Sequence, residues 1–436
     1  MPTQYSRRTE MPKEKTMPKL KEIPFERLLD TIQDCIHFPT LSGQEEQLVK
    51  HLMKTASHKG FTSTHHDRMG NFIAEMKIGS GEGPKIVMSG HLDTVSANPA
   101  EWDPKTGPFS GSIMNGRLYG RGASDMKASF CDMLYAAASL SGLEGPYSGT
   151  VYVVGTVVEE LFEGVSFLEA LKDIQPDYVI IGEATQGKIN IGQRGRAEIV
   201  ITSFGQPQHA STGRNVINAI EQTAYIIDAF HVWYRSRADE ILGKRNIVPT
   251  DIKIPIGGGG GLDGRGGNST VPNKVEITYD IRTLAEDTEE SIILLVRDNI
   301  DQVVHNAREK YPTFKTPGIQ YSSERAVTWT CQPLVQKKFA PAWKIAQDHP
   351  FVQKAARGIE KFLGTPAEYG HYGFCTDGSA VVRYRELFPD RTIEVIGYGP
   401  GAEEDAHTVN ESISIEEVKR CYHGLQGILT ELLAKE

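Results

Sequence analysis

Two adjacent acids, Glu159 and Glu160, close the run Gly155, Thr156, Val157, Val158. Neighbouring carboxylates repel each other and are costly to bury unless cations or protons compensate them. An exposed loop is one resolution. The other is a division of labour in which one carboxylate binds a metal and its neighbour takes a proton from an attacking water. Similar groups close other runs. Ile86 to Ser89 delivers Gly90, His91, Leu92 and Asp93. His91 could ligate a metal through one ring nitrogen while Asp93 holds the other, although a buried histidine bonded to an aspartate is the plainer reading. Asp125, in Gly120-Arg121-Gly122-Ala123-Ser124-Asp125-Met126-Lys127, stands just before a predicted helix. It is either an N-cap or a carboxylate bridging two cations. Tyr178 to Ile181 ends in Gly182 and Glu183, and Gly397-Tyr398-Gly399-Pro400-Gly401 leads to Asp405, His407 and Glu411. Two histidines and three acids at strand ends make an N/O donor set for zinc or a similar ion.

The elements that must hold these groups read as an α/β chain. From Ile23, Phe25, Leu28, Leu29, Ile32 and Ile36 form one helical face, and residues 1–22, with three Met-Pro pairs, read as a flexible extension. Strands then alternate with helices at Lys85 to Ser89, after Asp125, at Val151 to Val158 and at Tyr178 to Ile181, which predicts a mostly parallel sheet. The character changes near Gly195. Strands at Arg196 to Phe204, Ile252 to Ile256, Val275 to Arg282 and Gly318 to Ser322 are interleaved with helices at Asn215 to Trp233 and Thr288 to Lys310. That is a βαββαβ insert. The α/β pattern returns after Thr330, with a helix near Phe351 to Phe362 and a strand from Thr392 to Gly397. The expected division is residues 23–194 with 330–436 as a catalytic domain, and 195–329 as an inserted lid.

Composition narrows the function classes. The 436 residues carry a formal charge of −9, which offers no basic field for nucleic acid or an anionic membrane. No apolar run is long enough to span a bilayer and no secretory h-region opens the chain, so a cytoplasmic protein is expected. The five cysteines are dispersed and form no CxxC pair, which predicts free thiols and leaves a lone catalytic Cys375 as a rival nucleophile. The glycine run from Gly257 to Gly267 contains GxGxxG but precedes Asn268-Ser269-Thr270-Val271-Pro272 and no helix, so it reads as a loop and not as a phosphate cradle.

In order and local sequence, GHLDTV, GRGASDMK, GTVVEE, GEAT and GPGAEEDAHTVNE resemble the M20 metallopeptidases and deacylases, the group that contains acetylornithine deacetylase and succinyl-diaminopimelate desuccinylase. The resemblance runs from about Ile23 to the C-terminus. Within the group, GTVVEELFEG, GQRGRAE and IGYGPGAEEDAH look most like the YgeY-like, selenium-metabolism-linked hydrolases. The resemblance implies that Asp125 bridges two metals, with His91 and Glu183 completing one site and Glu160 and His407 the other. It places Glu159 as general base and Asp93 behind His91. It also assigns His209, on the insert, to the oxyanion, although the proline that usually follows this histidine is missing. Arg282, Asn268 and Thr376 fall on substrate-binding positions. The implied cofactors are two Zn2+ per chain, with Co2+ or Mn2+ also suited to such donors. The implied partners are a small N-acyl amino acid or short peptide and a second copy of the chain, paired through the lid.

The expected reaction is hydrolysis of an amide bond, with Glu159 moving the proton and the insert closing over the cleft. A dipeptidase or aminopeptidase would share every ligand. A non-catalytic metal-binding protein would have no use for Glu159 beside Glu160.

Overall fold

The computed structural model describes residues 18–211, 217–233, 238–255 and 269–435, with the backbone alone for 231–233. The glycine run from Gly257 to Gly267 and Asn268 lie outside the described residues, as does the start of the helix expected from Asn215.

The strands Lys85–His91, Gly149–Thr156, Tyr178–Ile181 and Glu394–Gly397 are buried along nearly their whole length. Such continuous apolar runs belong to the centre of a parallel sheet covered on both faces. They lie side by side in a nine-stranded sheet ordered Ser63–His66, Phe72–Ile78, Gly149–Thr156, Lys85–His91, Tyr178–Ile181, Glu394–Gly397, Ile189–Gln193 and Trp343–Lys344, with Tyr369–Tyr372 also pairing Ile189–Gln193. The centre is parallel. Antiparallel strands flank it, because Phe72–Ile78 pairs Gly149–Thr156 and Trp343–Lys344 pairs Ile189–Gln193 in that sense.

Register decides what this sheet can position. His91 stands opposite Thr156, and Ser89 and Gly397 both stand opposite Ile181. The parallel strands therefore end nearly level, and the loops that follow them open on one edge, where α/β sheets bind their ligands. Two of those loops approach backbone to backbone. A Cβ on Gly399 would lie 2.2 Å from the carbonyl oxygen of Gly182. Glycine there lets the segments bearing Glu183 and His407 converge.

The insert has its own antiparallel sheet, ordered Asn246–Lys253, Lys274–Thr283, Gly195–Phe204 and Gly318–Tyr321, with the helices Ala219–Trp233 and Glu289–Lys310. The βαββαβ order holds, although the second strand begins at Asn246 and not at Ile252. Its inward residues form a separate core around Ile199, Ile201, Ile277, Ile281, Val296 and Ile300. The larger core joins residues before Gln193 to residues after Trp343. The expected boundaries need two corrections. Phe339–Ala340 still pairs Gly195–Phe204, so the insert extends past 329. Residues 18–22 are docked: Leu20 packs on the larger core and the Lys21 amide donates to the Ser139 carbonyl at 2.8 Å. No described helix is long and apolar enough to cross a membrane.

Candidate active site

His91 is the last residue of its strand and is buried. Its Nδ1–H donates to the main-chain carbonyl of Asp93 at 2.8 Å, which leaves Nε2 facing Asp125 Oδ1 at 2.8 Å and Glu183 Oε1 at 3.5 Å. This corrects one expectation. Asp93 fixes the ring through its carbonyl, while its carboxylate stands 3.8 Å away because both oxygens are engaged elsewhere. Oδ1 accepts the Glu159 amide at 3.1 Å, and Oδ2 accepts the Glu160 amide at 3.1 Å and the Ser42 hydroxyl at 2.6 Å.

Asp125 does not cap the helix Ala128–Ser139, whose N-cap is Lys127. It sits in extended backbone, and its two oxygens face two histidines: Oδ1 faces His91, and Oδ2 lies 3.0 Å from His407 Nε2. His407 Nε2 also lies 3.2 Å from the Glu160 carboxylate. Two groups of three, His91 with Asp125 and Glu183, and His407 with Asp125 and Glu160, thus share one carboxylate. Donor atoms of His91, Asp125 and Glu160 lie within 4.8 Å of one another. Histidine nitrogens and carboxylates converge here and acids outnumber the histidines, a donor set whose chemistry fits a divalent ion.

The electrostatics show the same excess of acid. Burial would lower the His91 imidazolium, but Asp125 and Glu183 raise it well above the usual range. Bonds from Asp125 and Glu160 carry His407 to about 10. Burial and Asp125 push Glu183 up to about 8. Glu159 is also pushed well up, by burial and by Asp377, Glu183 and Glu160, against the pull of His91. Unlike Asp125, Glu160 and Glu183, its carboxylate forms no ion pair with either histidine among the described residues.

The segment carrying Glu159 is tied at four successive amides. Val157 donates to Asn71 Oδ1, Val158 to Glu45 Oε1, and Glu159 and Glu160 to Asp93. Val158 has φ +55 and His407 φ +59, left-handed values that cost a non-glycine residue on the order of 1–3 kcal/mol. Both flank the chemistry.

Sequence reasoning missed four supports of this site. Asn71 and Glu45 carry no motif. Glu411 was visible within HTVNE, yet only the structure shows its carboxylate accepting the Ser124 and Asp125 amides at 2.8 and 3.1 Å and pairing Arg121 at 2.6 Å. Asp377 lies beside the expected Thr376 and accepts the Thr156 hydroxyl and the Gly164 amide. Burial raises it to about 6. Thr376 itself is fully buried, its hydroxyl donating to Gln193 and accepting the Gly378 amide. Both bonds of the side chain serve to shape the loop.

The remaining candidates stand on the insert. His209 is exposed in a two-residue strand paired with Thr270–Val271, with Nδ1 2.7 Å from the Ser211 hydroxyl. Arg282 forms the strand-end ion pair that its position allowed, Nε to Asp280 Oδ1 at 2.8 Å. Its charge also reaches Glu403, in the segment that leads to His407. Burial and Glu404 raise the Glu403 carboxyl, whereas Arg282 and Arg194 pull it down. Arg196 ties the insert to the first core, pairing Glu163 at 2.9 Å and Glu198 and Asp280 at 2.8 and 3.0 Å. Cys375 is buried and its thiol is raised well above the usual range, which disfavours a thiolate nucleophile.

Residues 87–431 match the model of Peptidase family M20/M25/M40. The chain belongs to this family. The uncharacterized protein YgeY of Escherichia coli (strain K12) is 27% identical over 434 residues, covering 95% of this chain and 100% of the relative. Succinyl-diaminopimelate desuccinylase of Sulfurovum sp. (strain NBC37-1) is 26% identical over 376 residues, covering 84% and 88%. Among solved structures, a tripeptidase from Staphylococcus aureus superposes with a TM-score of 0.71 at 21% identity, covering 95% of this chain and 100% of the other. YXEP of Bacillus subtilis, described as a dinuclear metal-binding peptidase of the M20 family, superposes with a TM-score of 0.64 at 15% identity, covering 94% and 98%. The M20 membership and the α/β fold with its inserted lid agree with what the five motifs implied.

Proposed function

We propose that the protein is a di-metal amidohydrolase that cleaves a small N-acyl amino acid, with Glu159 as general base. The carrying observation is that Glu159 ends buried beside two acid–histidine groups and pairs with neither histidine, so its carboxylate stays available to a proton. His91, Asp125 and Glu183 would hold one ion, and His407, Asp125 and Glu160 the other. Bound there, divalent ions would supply Lewis acidity to the scissile carbonyl and to the attacking water. Glu159 accepts the water proton and returns it to the leaving nitrogen, a role its raised proton affinity suits. Arg282 takes the substrate carboxylate, for which a guanidinium offers a two-pronged donor. His209 stabilises the oxyanion. Asn268 completes the substrate contacts.

The identity of the desuccinylase relative favours deacylation over peptide cleavage, and zinc suits the donors. We assign the protein to the cytoplasm and to a dimer formed through the insert. The edge strand Asn246–Lys253 exposes Val248 and Ile252, a surface of the kind that pairs with a second copy.

The test is a hydrolysis screen of acetyl, succinyl, formyl and carbamoyl amino acids against dipeptides, using zinc-reconstituted protein, with elemental analysis of the same sample. Turnover of an acylated amino acid at about two metals per chain is the expected result. Preference for dipeptides would shift the assignment to a dipeptidase. Full activity after exhaustive chelation would end it.

A further inference from the structure

We propose that Glu45 is a positioning residue for the base, holding the Val158 amide so that Glu159 enters the cleft in its working orientation. The inference rests on the assignment of Glu159 as base and adds a residue outside every motif of the site.

Glu45 sits at the N-cap position of the helix Glu46–Ser57, yet its side chain does not cap that helix. It turns inward and is wholly buried. Oε1 accepts two amides, Gly43 and Val158, each at 2.9 Å, while Oε2 is buried with no hydrogen-bond partner among the described residues. Burying a carboxylate with one oxygen unpaired is unfavourable, so its place needs a compensating reason.

Val158 provides one. A β-branched residue avoids left-handed backbone, and Val158 adopts it at φ +55 immediately before Glu159. Its amide lies beyond the end of the strand at Thr156, and Glu45 receives it. The conformation turns the chain between the end of the strand Gly149–Thr156 and the two amides captured by Asp93. Asn71 and Asp93 bound the turn on either side, and Glu45 secures its strained centre. Without that acceptor the turn loses the tie on the amide of its left-handed residue, and Glu159 loses part of its fixed starting point.

The experiment compares Glu45→Met, which keeps the bulk and removes the acceptor, with Glu45→Gln, which keeps both, in zinc-reconstituted holoenzyme. In the Met variant kcat falls about tenfold to a hundredfold, the range of a small misplacement of a catalytic group, while KM and metal content stay as in wild type. The Gln variant restores most of that turnover. Amide exchange at Val158, slow in wild type, accelerates in the Met variant and returns toward wild type with Gln. The proposal is overturned if the Met variant keeps kcat within twofold, if Gln fails to rescue, or if metal is lost in step with rate. It is also overturned if wild-type Val158 exchanges as fast as an exposed loop, a measurement that needs no variant to fold. If the wild-type protein hydrolyses no amide, the functional assignment fails, and the hold of Glu45 on Val158 is then judged by exchange alone.

Discussion

His407 Nε2 and the Glu160 carboxylate meet at 3.2 Å across 247 positions of sequence. The same nitrogen lies 3.0 Å from Asp125, so one imidazole faces two carboxylates and its proton affinity is raised by both.

Metal uptake at pH 7 should release protons. His407 is raised from 6.5 to about 10 by its bonds to Asp125 and Glu160, so ligation through its ring nitrogen must expel a proton. Calorimetric titration with zinc in buffers of different ionisation heat should show net release, and affinity should fall as the pH is lowered. The sign for stability is opposite. A histidine raised on folding stabilises fully below its unfolded value of 6.5, and this contribution is lost as the pH climbs through about 10. Chelated protein should therefore lose its His407 contribution across that window. A titration with no proton release would contradict the pairing.

Glu159→Gln should keep both metals and lose turnover by roughly 10²- to 10⁴-fold, the usual share of a general base. Glu160→Gln should instead reduce metal content, because its carboxylate meets His407. Identical behaviour of the two variants, in metal and in rate, would remove the distinction between their roles.

Gly399→Ala should destabilise the fold on the order of 3 kcal/mol, since the added methyl would stand 2.2 Å from the Gly182 carbonyl and backbone must shift. Denaturant titration measures the loss. Metal affinity should drop with it, as the two loops carry Glu183 and His407. A variant as stable as wild type would show that these loops are not locked together.

If His209 serves the cleft of a second copy, mixing inactive His209→Ala with inactive Glu159→Gln should restore part of the activity. One cleft of the mixed dimer then receives both intact groups. Subunit exchange is verified by tag capture. Verified exchange with no returning activity would confine His209 to its own chain or deprive it of a role.

The donor groups were legible because each lies at the end of a buried strand or in an adjoining loop, where such chemistry collects. His91, Asp125, Glu160, Glu183 and His407 accordingly converge as their order implied. Supports drawn from elsewhere left no such mark. Glu45 reads as an ordinary acid at a helix start, and nothing in its neighbours announces an inward turn toward Val158. Thr376 and Asp377 show the limit of reading by type: both are polar and adjacent, and only packing shows that the carboxylate of Asp377 braces Thr156 and Gly164. The route of Asp93 to His91 through a carbonyl was hidden for the same reason, since sequence names side chains more readily than it names backbone partners.

The strand Glu394–Gly397 lies inside its sheet, between Tyr178–Ile181 and Ile189–Gln193. A chain growing from its N-terminus must therefore leave a gap there until nearly all of it has been made, and pairing at such separation is slow to form. His407 follows that strand, so one donor, the histidine shared by Asp125 and Glu160, is missing from every shorter nascent chain. The order of synthesis itself delays completion of the cluster until the last segment closes the sheet.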